Sequence, residues 1–293
     1  MKKILCLLFL SAILFTDVSH LLAQSGKPRY TFPIGIQTYT YRKSFPNGVE
    51  ATLDTIQSLG VTELEAGVPK GMTAEEFRKL VNDRGMTIPS TGAGYEQIVK
   101  DPMEVVKTAK ALGASYVMVS WIPHDRHDFK FENAKKAVED FNKVGKVLKE
   151  NGLTFCYHIH GYEFRPHEKG TKFDYIVQNT NPDNVSFELD LLWAQHGGAD
   201  PVALLEKYGD RFKLIHLKDL KKGVKGDHTG STPHENDVPL GTGQIDIPGV
   251  LKAAKKVGIK HYFIEDESDN IRTSVPQSIA YLKSLNESDV KNP

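Results

Sequence analysis

The sequence predicts a single-domain (β/α)8 barrel behind a cleavable export leader. Three observations predict it. Eight short β-branched or aromatic runs alternate with amphipathic stretches, and strict alternation of this kind builds a parallel sheet with helices packed on it. The chain has 293 residues, which, less a leader, suits a closed barrel of about 250 residues. No Gly-rich phosphate loop follows the first run, so an open doubly wound sheet lacks its usual support.

The leader comes first in the chain. Lys2 and Lys3 precede an apolar run over 4–15, too short to cross a bilayer, where about 20 residues are needed. His20-Leu21-Leu22-Ala23, followed by Gln24, offers a small residue at a cleavage point. This pattern predicts a signal peptide over 1–23 and a barrel domain over 24–293. The alternative, an uncleaved anchor, is opposed by the length of the run. Cys6 lies inside the run rather than at the junction, so no lipoprotein signal is indicated. The mature protein is expected in the periplasm, with no stable membrane insertion. Only Cys156 then remains, so no intrachain disulfide supports the fold. Basic and acidic side chains balance at 37 each. That balance argues against a nucleic-acid or anionic-membrane partner.

The strand-like runs cover 34–39, 61–67, 87–93, 115–121, 153–160, 185–191, 212–219 and 261–267, all short enough for buried strands. The intervening segments carry helix signals. Thr73 with Glu76 reads as a capping box ahead of Phe77, Leu80 and Val81. Asp101-Pro102 and Asp200-Pro201 each put an N-cap carboxylate before a proline suited to the first helical position. Gly60, Gly85, Gly113, Gly152 and Gly258 stand where helices should stop. The segment 221–237, with His228 and His234 among small polar residues, has no strand or helix signal. It reads either as a lid over the site or as a surface insert. The tail after Leu285 is polar and expected to fray.

In such a barrel the active site lies where strands end, and polar residues gather there. Side chains two apart on a strand share a face. Strand five ends His158-Ile159-His160 with Glu163 just beyond. Strand six carries Glu188 and Asp190, strand seven His216 and Lys218, strand eight Glu265, and strand two Glu63 and Glu65. Singly, each acid reads as a cap or solvated residue and each histidine as a core residue. Together they would converge in one mouth, where like charges need a counter-charge. A divalent cation supplies one, and the Asp, Glu and His set suits Mn, Fe, Co, Ni or Zn, with Mg also considered.

The stretches Tyr157-His158-Ile159-His160-Gly161-Tyr162-Glu163-Phe164, Leu189-Asp190, His216-Leu217-Lys218-Asp219, Gly241-Thr242-Gly243-Gln244-Ile245-Asp246 and Ile264-Glu265-Asp266 carry a resemblance. The chain resembles the sugar phosphate isomerase/epimerase family, the xylose-isomerase-like TIM barrels that include inosose dehydratases and tagatose epimerases. The resemblance spans essentially the whole mature chain. It implies one divalent metal held by Glu, Asp, His and Glu from strands five to eight. Asp190, His216 and Glu265 match directly. Where relatives end strand five with glutamate, this chain has His158. Glu163 is the favoured fourth ligand, with direct binding by His158 or His160 as the alternative.

The chemistry expected of such a site is proton transfer next to a carbonyl. His158, His160 and Glu65 are the candidate bases. Lys218 is a candidate donor to a developing oxyanion, or else the surface partner of Asp219. Tyr39, Trp121 and Trp193 would stack on a sugar ring or simply pack. The leading function is a metal-dependent isomerase or epimerase acting through an enediolate on an unphosphorylated carbohydrate. A lyase or hydratase on a keto-sugar or 3-keto-glycoside uses the same first step, and a non-catalytic sugar-binding barrel is the third reading. Export and the absence of clustered arginines point to a substrate without phosphate. Endonucleases of the same superfamily need several metals and a basic track, which a neutral chain lacks.

Overall fold

The computed structural model describes residues 30–125 and 128–285. The expected signal peptide, its cleavage point before Gln24 and the tail beyond Leu285 lie outside the described residues. Eight strands close a parallel barrel: β1 (Gly35–Gln37), β2 (Glu63–Glu65), β3 (Thr87–Gly92), β4 (Tyr116–Val119), β5 (Thr154–His158), β6 (Val185–Asp190), β7 (Phe212–Leu217) and β8 (His261–Ile264). Each pairs with its sequence neighbours, and β1 closes on β8 through Gly35 opposite Phe263 and Ile36 opposite Ile264. All eight lie inside the runs read from the sequence, trimmed at their ends.

The helices are α1 (Val49–Ser58), α2 (Ala74–Asn82), α3 (Tyr95–Lys100), α4 (Pro102–Leu112), α5 (Phe131–Glu150), α6 (Lys172–Asn179), α7 (Leu191–His196), α8 (Pro201–Tyr208), α9 (Ile247–Val257) and α10 (Ile271–Ser284). Their starts follow the expected chemistry. Thr73 and Glu76 form the reciprocal capping box of α2. Asp101 caps α4 through the amide of Glu104, and Asp200 caps α8 through those of Val202 and Ala203. Gly113 and Gly258 end α4 and α9 in the left-handed conformation that costs glycine least. Among the described residues no helix is long and apolar enough to cross a membrane.

Two cores result. The larger fills the space between the sheet and the helix ring, with Phe77, Phe141, Phe155, Phe173, Phe187 and Phe212 buried in it. The smaller lies inside the barrel, where Cys156, Leu214 and Phe263 meet beside Tyr116. It makes an apolar floor, and the polar ends of the strands stand above it. Two short antiparallel hairpins decorate the loops, Pro166–His167 with Gly170–Thr171 and Asp219–Leu220 with Asp237–Val238. The second closes the base of the 221–237 segment, which the sequence read as lacking strand.

Candidate active site

Side chains alternate along a strand, so the residues one step above the apolar floor also point inward. These are His158 above Cys156, His216 above Leu214, and Glu265 beyond Phe263. Register sets their height. His158 pairs with Glu188 across β5 and β6, and Asp190 pairs with His216 across β6 and β7. All of these side chains are buried.

The His216 ring divides the cluster. On its Nδ1 side lie Glu265 Oε2 at 3.3 Å and Asp190 Oδ2 at 3.7 Å. His158 Nε2 faces the same Asp190 oxygen at 3.8 Å. On its Nε2 side, Glu65 Oε1 lies at 2.8 Å and Glu188 Oε1 at 3.2 Å. Glu65 is in turn held by Gln37 Nε2 at 2.7 Å and by the Ser90 hydroxyl at 2.5 Å. Asp190 has two tasks. Its Oδ1 accepts the Trp193 amide at 2.8 Å and caps α7. Its Oδ2 is left buried without a hydrogen-bond partner, as is His216 Nδ1.

The electrostatics are those of crowded acid. Burial disfavours the His216 imidazolium, but Glu188, Glu65 and Glu265 outweigh burial and hold its pKa well above the usual histidine value. Burial together with the neighbouring His216 and His160 pushes His158 well below it, so His158 is neutral. Burial would raise Glu265, yet Lys218 and His216 keep it well below the carboxylate range. Glu188 is pushed up to about 8 by burial and by Glu65. Lys218, 1% exposed, lies 3.0 Å from Glu265 Oε2 and 2.5 Å from Glu267 Oε1.

A divalent ion fits this arrangement. Donor atoms of His158, Asp190 and His216 lie within 4.8 Å of one another, as do those of Glu65, Glu188 and His216. The first group carries the unpartnered Asp190 Oδ2 and His216 Nδ1, with Glu265 beside it. In the second, both Glu65 oxygens already accept hydrogen bonds. The second group has one unpartnered atom, Glu188 Oε1, and the first has two, so His158, Asp190 and His216, with Glu265 beside them, are the residues that could hold an ion.

Two expected residues stand elsewhere. Glu163 is not in either group. Its carboxylate accepts from the Tyr157 hydroxyl and from the His160 amide at 3.0 Å, and Tyr157 packs outward against Phe141 of α5. Glu65, expected as a base, is fully buried with its lone pairs committed, a position that orients His216 instead. Lys218 does not pair with Asp219. Asp219 accepts the amides of Gly241, Gly243 and Ile245, which explains the Gly-Thr-Gly-Gln-Ile segment as loop scaffolding. Glu188, unassigned from sequence, shares its strand face with Asp190, and that was the available signal. Glu267, two beyond Glu265 in the same run, offered a like signal, whereas Gln37 and Ser90 carried none.

A cavity of about 630 Å³ is walled by Tyr39, Trp121, His124, His160, Trp193 and Glu267, with the cluster buried behind His160, 5.7 Å from the His158 ring, and behind Glu267, 2.5 Å from Lys218. His160 stands between the two indoles, with ring centroids 5.3 Å from Trp121 and 4.4 Å from Trp193. Its Nδ1 is buried without a partner. Tyr39 is half-exposed at the rim. The 221–237 segment forms one side through Thr229, Gly230, Ser231, Thr232 and His234. It docks closely. A Cβ on Gly226 would lie 1.8 Å from the His196 carbonyl oxygen, an approach only glycine permits.

Residues 50–285 match the xylose isomerase-like TIM barrel family. The chain belongs to that family. An inosose dehydratase from Clostridium perfringens is 27% identical over 252 residues, which cover 76% of this chain and 84% of the relative. A crystal structure of a sugar phosphate isomerase/epimerase from Parabacteroides distasonis superposes with TM-score 0.69 at 26% identity, over 90% of this chain and 98% of that one. A structure of the IolI protein with bound zinc superposes with TM-score 0.67 at 16% identity, covering 86% and 95%, and so shares the fold. The family relatives are thus named for enzymes of two kinds, dehydratase and isomerase/epimerase, on one xylose isomerase-like barrel.

Proposed function

We propose that this xylose isomerase-like barrel is an exported, metal-dependent enzyme. It transfers a proton next to the carbonyl of an unphosphorylated carbohydrate, as an isomerase or epimerase. The observation that carries the reading is the convergence of Asp190 Oδ2 and His216 Nδ1, buried and unpartnered, with His158 and Glu265, directly behind the His160 and Trp193 wall of the cavity. Residues 1–23 are its leader and 24–293 its barrel domain on this reading. The ion is one of Mn, Fe, Co, Ni, Zn or Mg, and a zinc-bound structural neighbour favours trying zinc first. When bound, such an ion supplies Lewis acidity to a carbonyl and an adjacent hydroxyl, and so acidifies the neighbouring C–H.

The chain's own groups do the rest. His160 lines the cavity wall and takes and returns the proton. The Lys218 ammonium, fixed by Glu265 and Glu267, stabilises negative charge developing on the substrate oxygen. Trp121, Trp193 and Tyr39 present faces for a sugar ring. Among the described residues no lysine or arginine lines the cavity, Lys218 lying behind Trp193 and Glu267 of its wall, which suits a substrate without phosphate. The inosose dehydratase likeness supports a second reading. After the same proton abstraction, a hydroxyl β to the carbonyl leaves as water and the product is unsaturated.

The test incubates zinc- or manganese-loaded protein with free sugars and 3-keto-glycosides in D2O and follows the carbon-bound protons by NMR. Deuterium uptake with an isomeric product supports the first reading, and an unsaturated product the second. Asp190→Asn keeps an oxygen for the α7 cap and should abolish both. Binding without exchange across the panel would leave only a sugar-binding barrel.

A further inference from the structure

We propose that Glu188 is a positioning residue that turns His158 toward the metal site as a ligand. The inference rests on the metal site read above. Relatives that the sequence resembles end strand five with a glutamate. Here an imidazole stands there, and Glu188 faces it from directly across the β5–β6 pair. Its Oε2 lies 3.3 Å from His158 Nδ1 and its Oε1 3.2 Å from His216 Nε2. The opposite nitrogens, His158 Nε2 and His216 Nδ1, both face Asp190 Oδ2, at 3.8 and 3.7 Å. A single carboxylate thus lies behind both rings, on the side away from the donor space.

The geometry has a chemical consequence. A neutral imidazole carries its proton on one nitrogen and its lone pair on the other. An acceptor at His158 Nδ1 puts the proton there and turns the Nε2 lone pair toward Asp190. His216 is held separately, its Nε2 meeting Glu65 Oε1 at 2.8 Å. Among the described residues His158 has no second carboxylate at its Nδ1, so its orientation depends on Glu188. His216 keeps Glu65 when Glu188 is removed.

The experiment measures zinc affinity by competition with a chromophoric chelator, on the wild type, Glu188→Gln, His158→Ala and the double variant. Glu188→Gln should weaken zinc binding about 10–100-fold, the usual cost of losing an outer partner of a metal-bound histidine. The double variant should bind no more than a few-fold weaker than His158→Ala, because Glu188 acts mainly through His158. Long-range ¹⁵N NMR of the metal-free protein supplies a readout that packing alone does not move. His158 should be Nδ1-protonated in the wild type and a tautomer mixture in Glu188→Gln. Glu188→Asp, which keeps the charge, should recover part of the affinity, and it replaces the glutamine variant if that one does not fold. Wild-type zinc affinity in Glu188→Gln, or fully additive losses in the double variant, would overturn the positioning role while leaving the metal site standing. A wild-type protein that binds no divalent ion would overturn both.

Discussion

Lys218→Met removes a charge and little volume at the most crowded point of the mouth. Lys218 is 1% exposed. Its Nζ lies 3.0 Å from Glu265, 2.5 Å from Glu267, and 3.9 Å from both Asp190 and Asp237. Methionine fills the channel but leaves these carboxylates facing one another. Removing one partner of a buried ion pair costs about 3–5 kcal/mol. For a domain of this size each kcal/mol shifts the melting midpoint by about 2–4 °C, so the metal-free variant should melt roughly 6–20 °C below the wild type. A bound divalent ion offers Asp190 and Glu265 a substitute charge. Saturating zinc should therefore raise the variant's midpoint more than the wild type's, and the gap should narrow. Differential scanning calorimetry with and without zinc measures both quantities. A metal-free Lys218→Met as stable as the wild type would refute the reasoning, because it would mean that the acids carry protons rather than charge. A gap unchanged by zinc would place the ion away from Asp190 and Glu265.

Two further outcomes follow from sites outside the mouth. Asp174 is held down to about 2, since burial, which alone would raise it, is outweighed by Lys207, Tyr208 and Thr171. Its folded pKa lies below the ordinary value near 4, so its stabilisation is present above that value and lost as pH falls toward 2. Urea midpoints between pH 5 and 2 should fall less steeply for Asp174→Asn than for the wild type. Gly226→Ala puts a Cβ against the His196 carbonyl and should displace the 221–237 segment while sparing the barrel. Limited proteolysis should cut that segment several-fold faster with the far-ultraviolet spectrum unchanged, and equal cutting rates would deny that the loop is docked there.

The strands were legible because two periods coincide. A run of four to eight β-branched or aromatic residues marks a buried strand, and a strand is inward every second residue whatever its neighbours do. That rule alone places His158, Asp190, His216 and Glu265 on one surface, with Glu188 among them. It does not say where a strand stops pairing. Hence 261–267 reads as one strand, although the strand ends at Ile264 and Glu265, whose amide still reaches the Leu217 carbonyl at 3.3 Å, begins the loop. The hairpin of Asp219–Leu220 with Asp237–Val238 left no trace, because two-residue ladders are too short to show a pattern. The cavity walls were legible only as aromatic residues near strand ends. That His160 stands between Trp121 and Trp193 depends on the path of two loops.

Glu163 shows where nearness in sequence fails. It lies three residues beyond His160, on a segment that leaves the strand direction: Gly161 turns at φ 93 and Tyr162–Phe164 form a single 3-10 turn. The turn carries the carboxylate back toward Tyr157, the residue that alternation sends to the helix side. There burial raises its pKa to about 7 against the pull of Tyr157 and the backbone donors. Its two oxygens take the Tyr157 hydroxyl and the His160 amide, so the acid fastens the segment that carries His160 into the cavity. A carboxylate one loop away can be diverted by a single glycine, whereas one on the adjacent strand is held by register. Glu188 is opposite His158 because β5 and β6 pair with no freedom to slide without exchanging every inward side chain for an outward one. The carboxyl group behind His158 therefore comes sideways, through the sheet, and not forwards along the chain.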